Sequence, residues 1–588
     1  MRPSVLFSAI IAASCFFSTA AVFAAPAQIS PADNKVPAPA AAAIGSKSAD
    51  GGQVLPKLKL TDQILYQYLV AEIALQRGDL SLASDAYLDL AKATRDPRIA
   101  KRATEVAIYA QRGHDAESAS KLWLELDPQS MNARQALVAI MLSSNKPSYA
   151  LPYLQQLLSA HPENAGAEFM QLGVMLSNQP DKAANLKLIQ SLAQPYPDLP
   201  EAHLAIAQAA ARAGQFDLAL AQLDIADRLK PGWDTAAMLR FEVLSRNGGD
   251  QGIAFARDYL QRYPQANEVR LAYARYLLNR NELEESRRQF ELLAQALPGS
   301  AEMQLAIGLI SLQMNELDAA DAAFAKALQE HYSQPGVVQI YLGQVAEAQH
   351  RYNDAANWYR SVAPGPQYVI AQIKYAMLLA KQGHLDQARS YLHAVKVNDD
   401  AERVELIQAE AEMLREAHDD KAVYTVLGDA LASRPDSIDL LYDHAMAAER
   451  LNHLDVMEAD LRHLLALQPD HAQALNALGY TLADRNIRLP EALNLLQEAL
   501  KLAPNDAYIL DSMGWAQYRV GNLPMAADFL SRAYSKLPDP EIAAHLGEVL
   551  WMQGKHDEAR RIWDKALATH PKNQALLDVT AKYKQSNK

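Results

Sequence analysis

Three seven-residue stretches decide how this chain folds: Ala474–Tyr480 reads ALNALGY, Ile509–Trp515 reads ILDSMGW and Ile542–Glu548 reads IAAHLGE. Each places an apolar residue just before a glycine, and each is followed by a break: Asp484-Arg485-Asn486, Gly521-Asn522 and Gly554-Lys555. A second apolar segment follows each break, with Ala492, Leu496 and Ala499, then Ala526, Leu530 and Ala533, then Ala559, Trp563 and Ala566. Pro504, Pro538 and Pro571 close the three units. Two helices of three to four turns and two short turns take roughly 34 residues, the spacing at which these prolines recur. The glycine and alanines suit places where facing helices approach closely. The proline cannot continue the helix before it and so redirects the chain. One such hairpin cannot bury its own apolar face, and the units are expected to stack.

The period runs back along the chain. Prolines closing apolar segments recur at Pro97, Pro128, Pro162, Pro197, Pro231, Pro264, Pro298, Pro364, Pro435 and Pro469. Two longer gaps each fit two units whose inner proline is missing, near Tyr332 and Asn398. Interior breaks fall at Gly78-Asp79, Gly113-His114, Gly214-Gln215, Asn315-Glu316 and Gly383-His384. A small residue four before a large one recurs as Ala83/Tyr87, Ala119/Trp123, Ala219/Leu223, Ala320/Phe324, Ala355/Tyr359 and Ala388/Leu392. This pattern resembles the tetratricopeptide repeat (TPR), a 34-residue helix–turn–helix unit. The resemblance implies an all-α, right-handed superhelix, an α-solenoid of about 15 units over residues 59–571. The units 232–264, with Gly248-Gly249, and 399–435 read as irregular. Residues 572–588 begin apolar and end polar, as a terminal capping helix and tail do.

The first 58 residues differ. Arg2 precedes an apolar run ending at Ala24-Ala25-Pro26, which reads as a signal peptide over residues 1–24, cleaved after Ala24 or Ala25. Two other readings compete: an uncut membrane anchor, and an outer-membrane lipoprotein acylated at Cys15, the one cysteine. The hydroxyl residues within the run weigh against the anchor, and Phe16-Phe17 weighs against acylation. A chain that loses Cys15 with its signal has no disulfide and no thiol chemistry. Residues 25–58 are rich in Ala, Pro, Ser and Gly and read as a flexible tether.

Signal, tether and repeats account for nearly the whole chain. It carries no HExxH, GxxxxGK[ST], GxSxG or GxGxxG signature. No catalytic residue, cofactor or metal is expected. The 15 histidines are scattered, and His453, His463 and His471 come nearest to a cluster without metal-ligand spacing. The net charge of −13 opposes nucleic acid and anionic lipid as general partners. Locally, Lys92, Arg95, Arg98, Lys101 and Arg102 gather around Pro97, either as a solvated turn paired to Asp89, Asp96 and Glu105 or as a patch for an acidic partner.

In TPR proteins the first helix of each hairpin lines a groove. Residues at groove-facing spacings in the last four units are Tyr442, Met446, Asn476, Tyr480, Tyr508, Asp511, Trp515, Tyr518, Arg519, Glu548 and Trp551. Tyr, Trp, Met and Arg are the types enriched at interface cores, so these eleven form the candidate partner-binding surface. Asp511–Trp515 (DSMGW) and Pro540–Trp551 (PEIAAHLGEVLW) further resemble a group of long exported proteobacterial TPR proteins. One member is an outer-membrane lipoprotein adaptor that binds a carboxyl-terminal processing protease and presents cell-wall hydrolases to it. The resemblance implies a periplasmic scaffold with protein partners and either peripheral or lipid-anchored membrane association, although the chain departs from that group at the acylation motif. Other exported TPR proteins serve as accessory subunits of polysaccharide synthesis or export, which is the alternative class.

Overall fold

The computed structural model describes residue 56 and residues 58–585, except 178, 247, 248 and 398. The signal segment, Cys15, nearly all of the tether, Gly248, Asn398 and the last three residues lie outside the described residues. Within them are 31 α-helices and one 3-10 turn, with no strand. Contacts divide the chain into two compact units, Met1–Glu316 and Leu317–Lys588.

In the first unit, the helices from Asp62–Gln76 to Leu283–Ala296 form six hairpins, while Ala165–Met175 and Lys182–Ala193 both pack on Pro200–Arg212 instead of pairing with each other; the helix Ala301–Gln313 follows. The second unit opens with Leu317–Gln329. Seven hairpins follow, from Pro335–Ala348 with Tyr352–Ser361 to Pro540–Met552 with His556–Thr569, and the chain closes on Gln574–Gln585.

Among the described residues, most turns that follow a first helix share one device, a residue with left-handed backbone just past that helix. Glycine takes this role at Gly78, Gly214, Gly383, Gly521 and Gly554. Asparagine takes it at Asn145, Asn281, Asn315, Asn452 and Asn486, and histidine at His350 and His418. One expected break shifts. At Gly113-His114 the left-handed residue is Gln111, with φ of 55°, and Gly113 already begins the helix Gly113–Leu126. Pro504, Pro538 and Pro571 lie just outside the helices Leu489–Leu502, Leu523–Lys536 and His556–Thr569. Pro97 departs from that role and is the first residue of the helix Pro97–Tyr109, where its missing N–H leaves no bond unmade.

Packing explains the small residues. The pairs Ala83/Tyr87, Ala119/Trp123, Ala219/Leu223, Ala320/Phe324, Ala355/Tyr359 and Ala388/Leu392 are all buried, as residues four apart on one helix face should be. The helical glycines mark closer approaches. A Cβ on Gly479 or Gly514 would stand 2.7 or 2.6 Å from Leu496 Cγ or Leu530 Cγ, and one on Gly547 would stand 2.1 Å from Trp563 Nε1. Gly343 plays the same part against Tyr359, a contact the sequence pattern does not single out. No described helix is long and apolar enough to cross a membrane.

Candidate functional site

The hairpin register positions the candidate site. Because Gly479, Gly514 and Gly547 face their own second helices, the residues just after them, Tyr480, Trp515 and Glu548, turn to a different face. The first helices Ala472–Asp484, Ala507–Arg519 and Pro540–Met552 contact one another in succession, and the last contacts Gln574–Gln585. Side chains on this face can therefore bond from repeat to repeat.

They do so as a continuous network. The Trp515 indole N–H donates to Asp484 Oδ1 at 3.1 Å. Its ring stacks on His545 at 4.2 Å and lies 5.0 Å from Tyr518. His545 Nδ1 bonds both Asp511 carboxylate oxygens at 3.0 Å, and its ring lies 6.3 Å from Tyr480. The Tyr518 hydroxyl donates to Glu548 at 3.3 Å; Lys582 and Tyr583 of the last helix donate to the same oxygen at 2.7 and 2.9 Å. Trp551 stacks on His556 at 4.2 Å and lies 5.8 Å from Trp563 and 5.3 Å from Tyr583. The Arg519 guanidinium sits 5.9 Å over Trp515, and that of Arg560 sits 5.2 Å over Trp551.

This geometry sorts the eleven sequence-predicted residues. Asp511, Trp515 and Glu548 are buried, at 7, 7 and 9 % exposure, and hold neighbouring repeats together. Tyr442, Met446, Asn476, Tyr480, Tyr518, Arg519 and Trp551 are half-buried. Tyr508, at 56 % exposure, presents most of its ring to solvent. Tyr442 lies 5.6 Å from His471, and Met446 packs against the core of its own repeat. Tyr480, Asp511, Trp515, Tyr518, Arg519, Glu548 and Trp551 thus belong to the network, Tyr508 lies on the same helix as Asp511 and Trp515, and Tyr442 and Met446 lie on a preceding helix, Ile438–Arg450.

Sequence reasoning missed His545, which joins Asp511, Trp515 and Tyr480. The signal was the repeat period itself, since His545 follows Asp511 by 34 residues. It also missed the exposed carboxylates Glu449, Asp484 and Glu541. Burial raises the Tyr480 hydroxyl pKa, and Asp484, Asp511, Glu541 and Glu449 raise it further. Tyr518 and Tyr583 are each pushed up to about 12, by burial first and then by Glu548. Burial pulls the His545 pKa down, but the Asp511 charge and hydrogen bond, with Glu541 and Glu548, outweigh it and leave it raised.

The other clusters find ordinary partners. Lys92 pairs with Asp89, Arg95 with Glu125, Arg98 with Asp96, and Lys101 and Arg102 with Glu105, so the basic group is a paired turn. His453 rests on Tyr424, His463 bonds Asp436 and His471 caps Ala474 N–H. These three histidines turn to three different partners.

Tetratricopeptide-repeat family patterns match residues 301–330, 442–507 and 540–565. A TPR repeat-containing protein of Pseudomonas aeruginosa is 33% identical over 490 residues, covering 83% of this chain and 82% of the relative. Among solved structures, a thermophilic TPR protein of Thermus thermophilus is similar at 24% identity and TM-score 0.27, over 30% of this chain and 94% of that one. The Naa15/Naa10 complex bound to HypK contains a chain similar at 12% identity and TM-score 0.33, over 89% of this chain and 96% of that one. By the extent and identity of the Pseudomonas match, together with its repeats, this chain belongs to the tetratricopeptide-repeat family.

Proposed function

We propose that the protein is a non-enzymatic scaffold that captures partner proteins on the first-helix face of its C-terminal repeats. One observation carries this reading. Tyr508 lies largely exposed beside a rigid, hydrogen-bonded aromatic network that holds that face in place. Exposed aromatic anchors on preorganised surfaces are where binding energy concentrates. A repeat array built from neighbour contacts suits such capture.

The finer reading follows from the resemblance to exported proteobacterial TPR adaptors. The protein is exported, its signal is removed after Ala24, and residues 25–58 tether the repeats in the periplasm. There it presents cell-wall hydrolases to a carboxyl-terminal processing protease. Intact mass of the mature chain tests the first part, and a fatty-acylated Cys15 would replace the soluble form with a lipid-anchored one. Reconstitution tests the second. Adding the full chain to an active protease and its hydrolase substrate should accelerate cleavage. Tyr508→Ala should remove much of that acceleration without changing the protease alone, because truncating an aromatic hot spot costs about 2 kcal/mol or more. No acceleration by the wild-type chain would sink the adaptor reading. Preferential binding of glycans over proteins would point to polysaccharide export.

A further inference from the structure

We propose that the open face of the first hairpin pairs with the same face of a second copy of this chain, forming a reversible twofold dimer. This goes beyond the scaffold reading, which concerns the C-terminal repeats, and does not depend on it.

The first observation is the helix Asp62–Gln76 itself. Its sequence, DQILYQYLVAEIALQ, carries Asp62 and Glu72 as its two charges and sets apolar residues all round the axis. A soluble helix that is apolar all round is a buried one. Ala71 and Ala74 pack into the core shared with Leu80–Thr94, which covers one side. On another side Leu65, Leu69 and Ile73 recur every fourth residue, and Tyr66 lies seven before Ile73 on the same face. These four stay at 43 to 69 % exposure.

The second observation is a pocket continuous with that stripe. It measures about 230 Å³, and Leu58, Leu60, Leu65 and Tyr68 line it together with Leu90 and Ile99. Leu65 belongs to both. The patch therefore holds a projecting ring, Tyr66, and a hollow beside it. An isologous interface needs such a surface, because each copy must present both halves of the contact.

Area and charge favour a second copy as the occupant. Leu58, Leu60 and Tyr68, with the four of the stripe, keep 40 to 73 % of their surface in water. At roughly 200 Å² for a large side chain wholly in water, the seven expose on the order of 700 Å². That exceeds the largest apolar patch of a typical monomer and approaches the ~800 Å² that each partner of a stable complex buries. Residues 58–105 hold seven Lys or Arg and seven Asp or Glu, whereas the whole chain carries −13. Two acidic chains can meet at such a balanced stretch without net repulsion. The other end offers no rival seam, since Gln574–Gln585 buries Leu576, Val579 and Tyr583 against the last hairpin. First hairpin then meets first hairpin, and the assembly closes at two. An area at this lower end makes the pairing reversible, and chains diluted well below its Kd keep the hairpin open.

Sedimentation velocity on the mature chain tests this. Between about 1 and 100 µM the sedimentation coefficient should rise from a monomer's toward a dimer's. High salt should leave the rise in place, because salt screens ion pairs and not apolar contact. Tyr66→Glu with Leu69→Glu should raise the dimer Kd at least about tenfold, since four carboxylates would then meet in the interface. Met525→Glu with Met552→Glu alters two side chains of 46 and 50 % exposure in the C-terminal repeats. It should change the Kd less than about twofold, being remote from the contact. If circular dichroism shows Tyr66→Glu/Leu69→Glu to be unfolded, Tyr66→Ser/Leu69→Ser decides in its place. A wild-type chain that stays monomeric at about 100 µM overturns the proposal. So does a dimer that both variants weaken equally, or that neither weakens. Hydrophobic-dye binding by such a monomer then names the occupant: no response assigns the face to residues 25–55 of the same chain, and a strong response assigns it to a different protein.

Discussion

The last hairpin and the first are built from the same pattern and end differently. Pro540–Met552 and His556–Thr569 are covered by Gln574–Gln585, which buries Leu576, Val579 and Tyr583 against them. Asp62–Gln76 packs against Leu80–Thr94 through Ala71 and Ala74, yet leaves Leu65, Tyr66, Leu69 and Ile73 at 43 to 69 % exposure. A TPR hairpin therefore fixes only its own inner seam. Whether its outer face is dry depends on a neighbour, and the last hairpin has one in an extra helix that also adds Lys582 and Tyr583 to the Glu548 network.

The sharpest test of that difference is Trp563→Ala. Trp563 is 3 % exposed, donates to Ala544 O at 3.4 Å and stacks with Tyr583 at 5.8 Å, so the change empties a seam shared by three helices. A loss of about 3–5 kcal/mol is expected. Hydrogen exchange should show it as lost protection in Pro540–Met552, His556–Thr569 and Gln574–Gln585, while Asp62–Thr94 stays unchanged. Loss spreading equally to the first hairpin would contradict neighbour-only coupling.

Glycine substitutions come next in size. Gly547→Ala gains up to about 1 kcal/mol of helix propensity, but its Cβ would overlap the Trp563 indole at 2.1 to 2.7 Å. A net loss of about 1–3 kcal/mol is expected from such overpacking. Gly78, in the first hairpin, is held by conformation alone: its φ is 77° and nothing lies within 4 Å of a built Cβ. Gly78→Asn should then be tolerated, since Asn281 and Asn315 already occupy the same turn position, whereas Gly547→Asn should not. Chemical denaturation of the three variants checks this, and a harmless Gly547→Ala would sink the packing argument.

A smaller effect should follow pH. His545 has a raised folded pKa, so its contribution is full below the ordinary value of 6.5 and fades as pH rises through the folded value. Melting temperature should fall from slightly acid to alkaline pH more in the wild type than in His545→Gln. The first hairpin contains no histidine, and its local protection should not follow this titration. Parallel curves for wild type and variant would show that the Asp511 pairing adds nothing.

Much of the fold is readable in the chain because its determinants are local. Glycine or asparagine at a left-handed turn, alanine opposite a large residue and proline past a helix each act within one repeat, and they recur often enough to show the period. The candidate site was less legible. Trp515 and Tyr508 stand two turns apart on one face of the same first helix, and only the seating of Trp515 on His545 and Asp484 from flanking repeats buries one while the other stays exposed.

The smallest expected effect concerns the open face of the first hairpin. Leu65, Leu69 and Ile73 recur every fourth residue, so they form one stripe along Asp62–Gln76. Each keeps 43 to 48 % of its surface in water. Replacing an exposed apolar side chain removes little burial, so Leu69→Ser with Ile73→Ser should change stability by no more than about 0.5 kcal/mol each. The matched change at the other end, Leu576→Ser, strikes a side chain at 0 % exposure and should cost several times more, through lost burial and an unpaired hydroxyl. If the two ends lose equal stability, the stripe is covered in solution and the contrast between an open and a closed hairpin disappears. If only Leu576→Ser is costly, and hydrophobic-dye binding falls in Leu69→Ser/Ile73→Ser, the first hairpin is the open one.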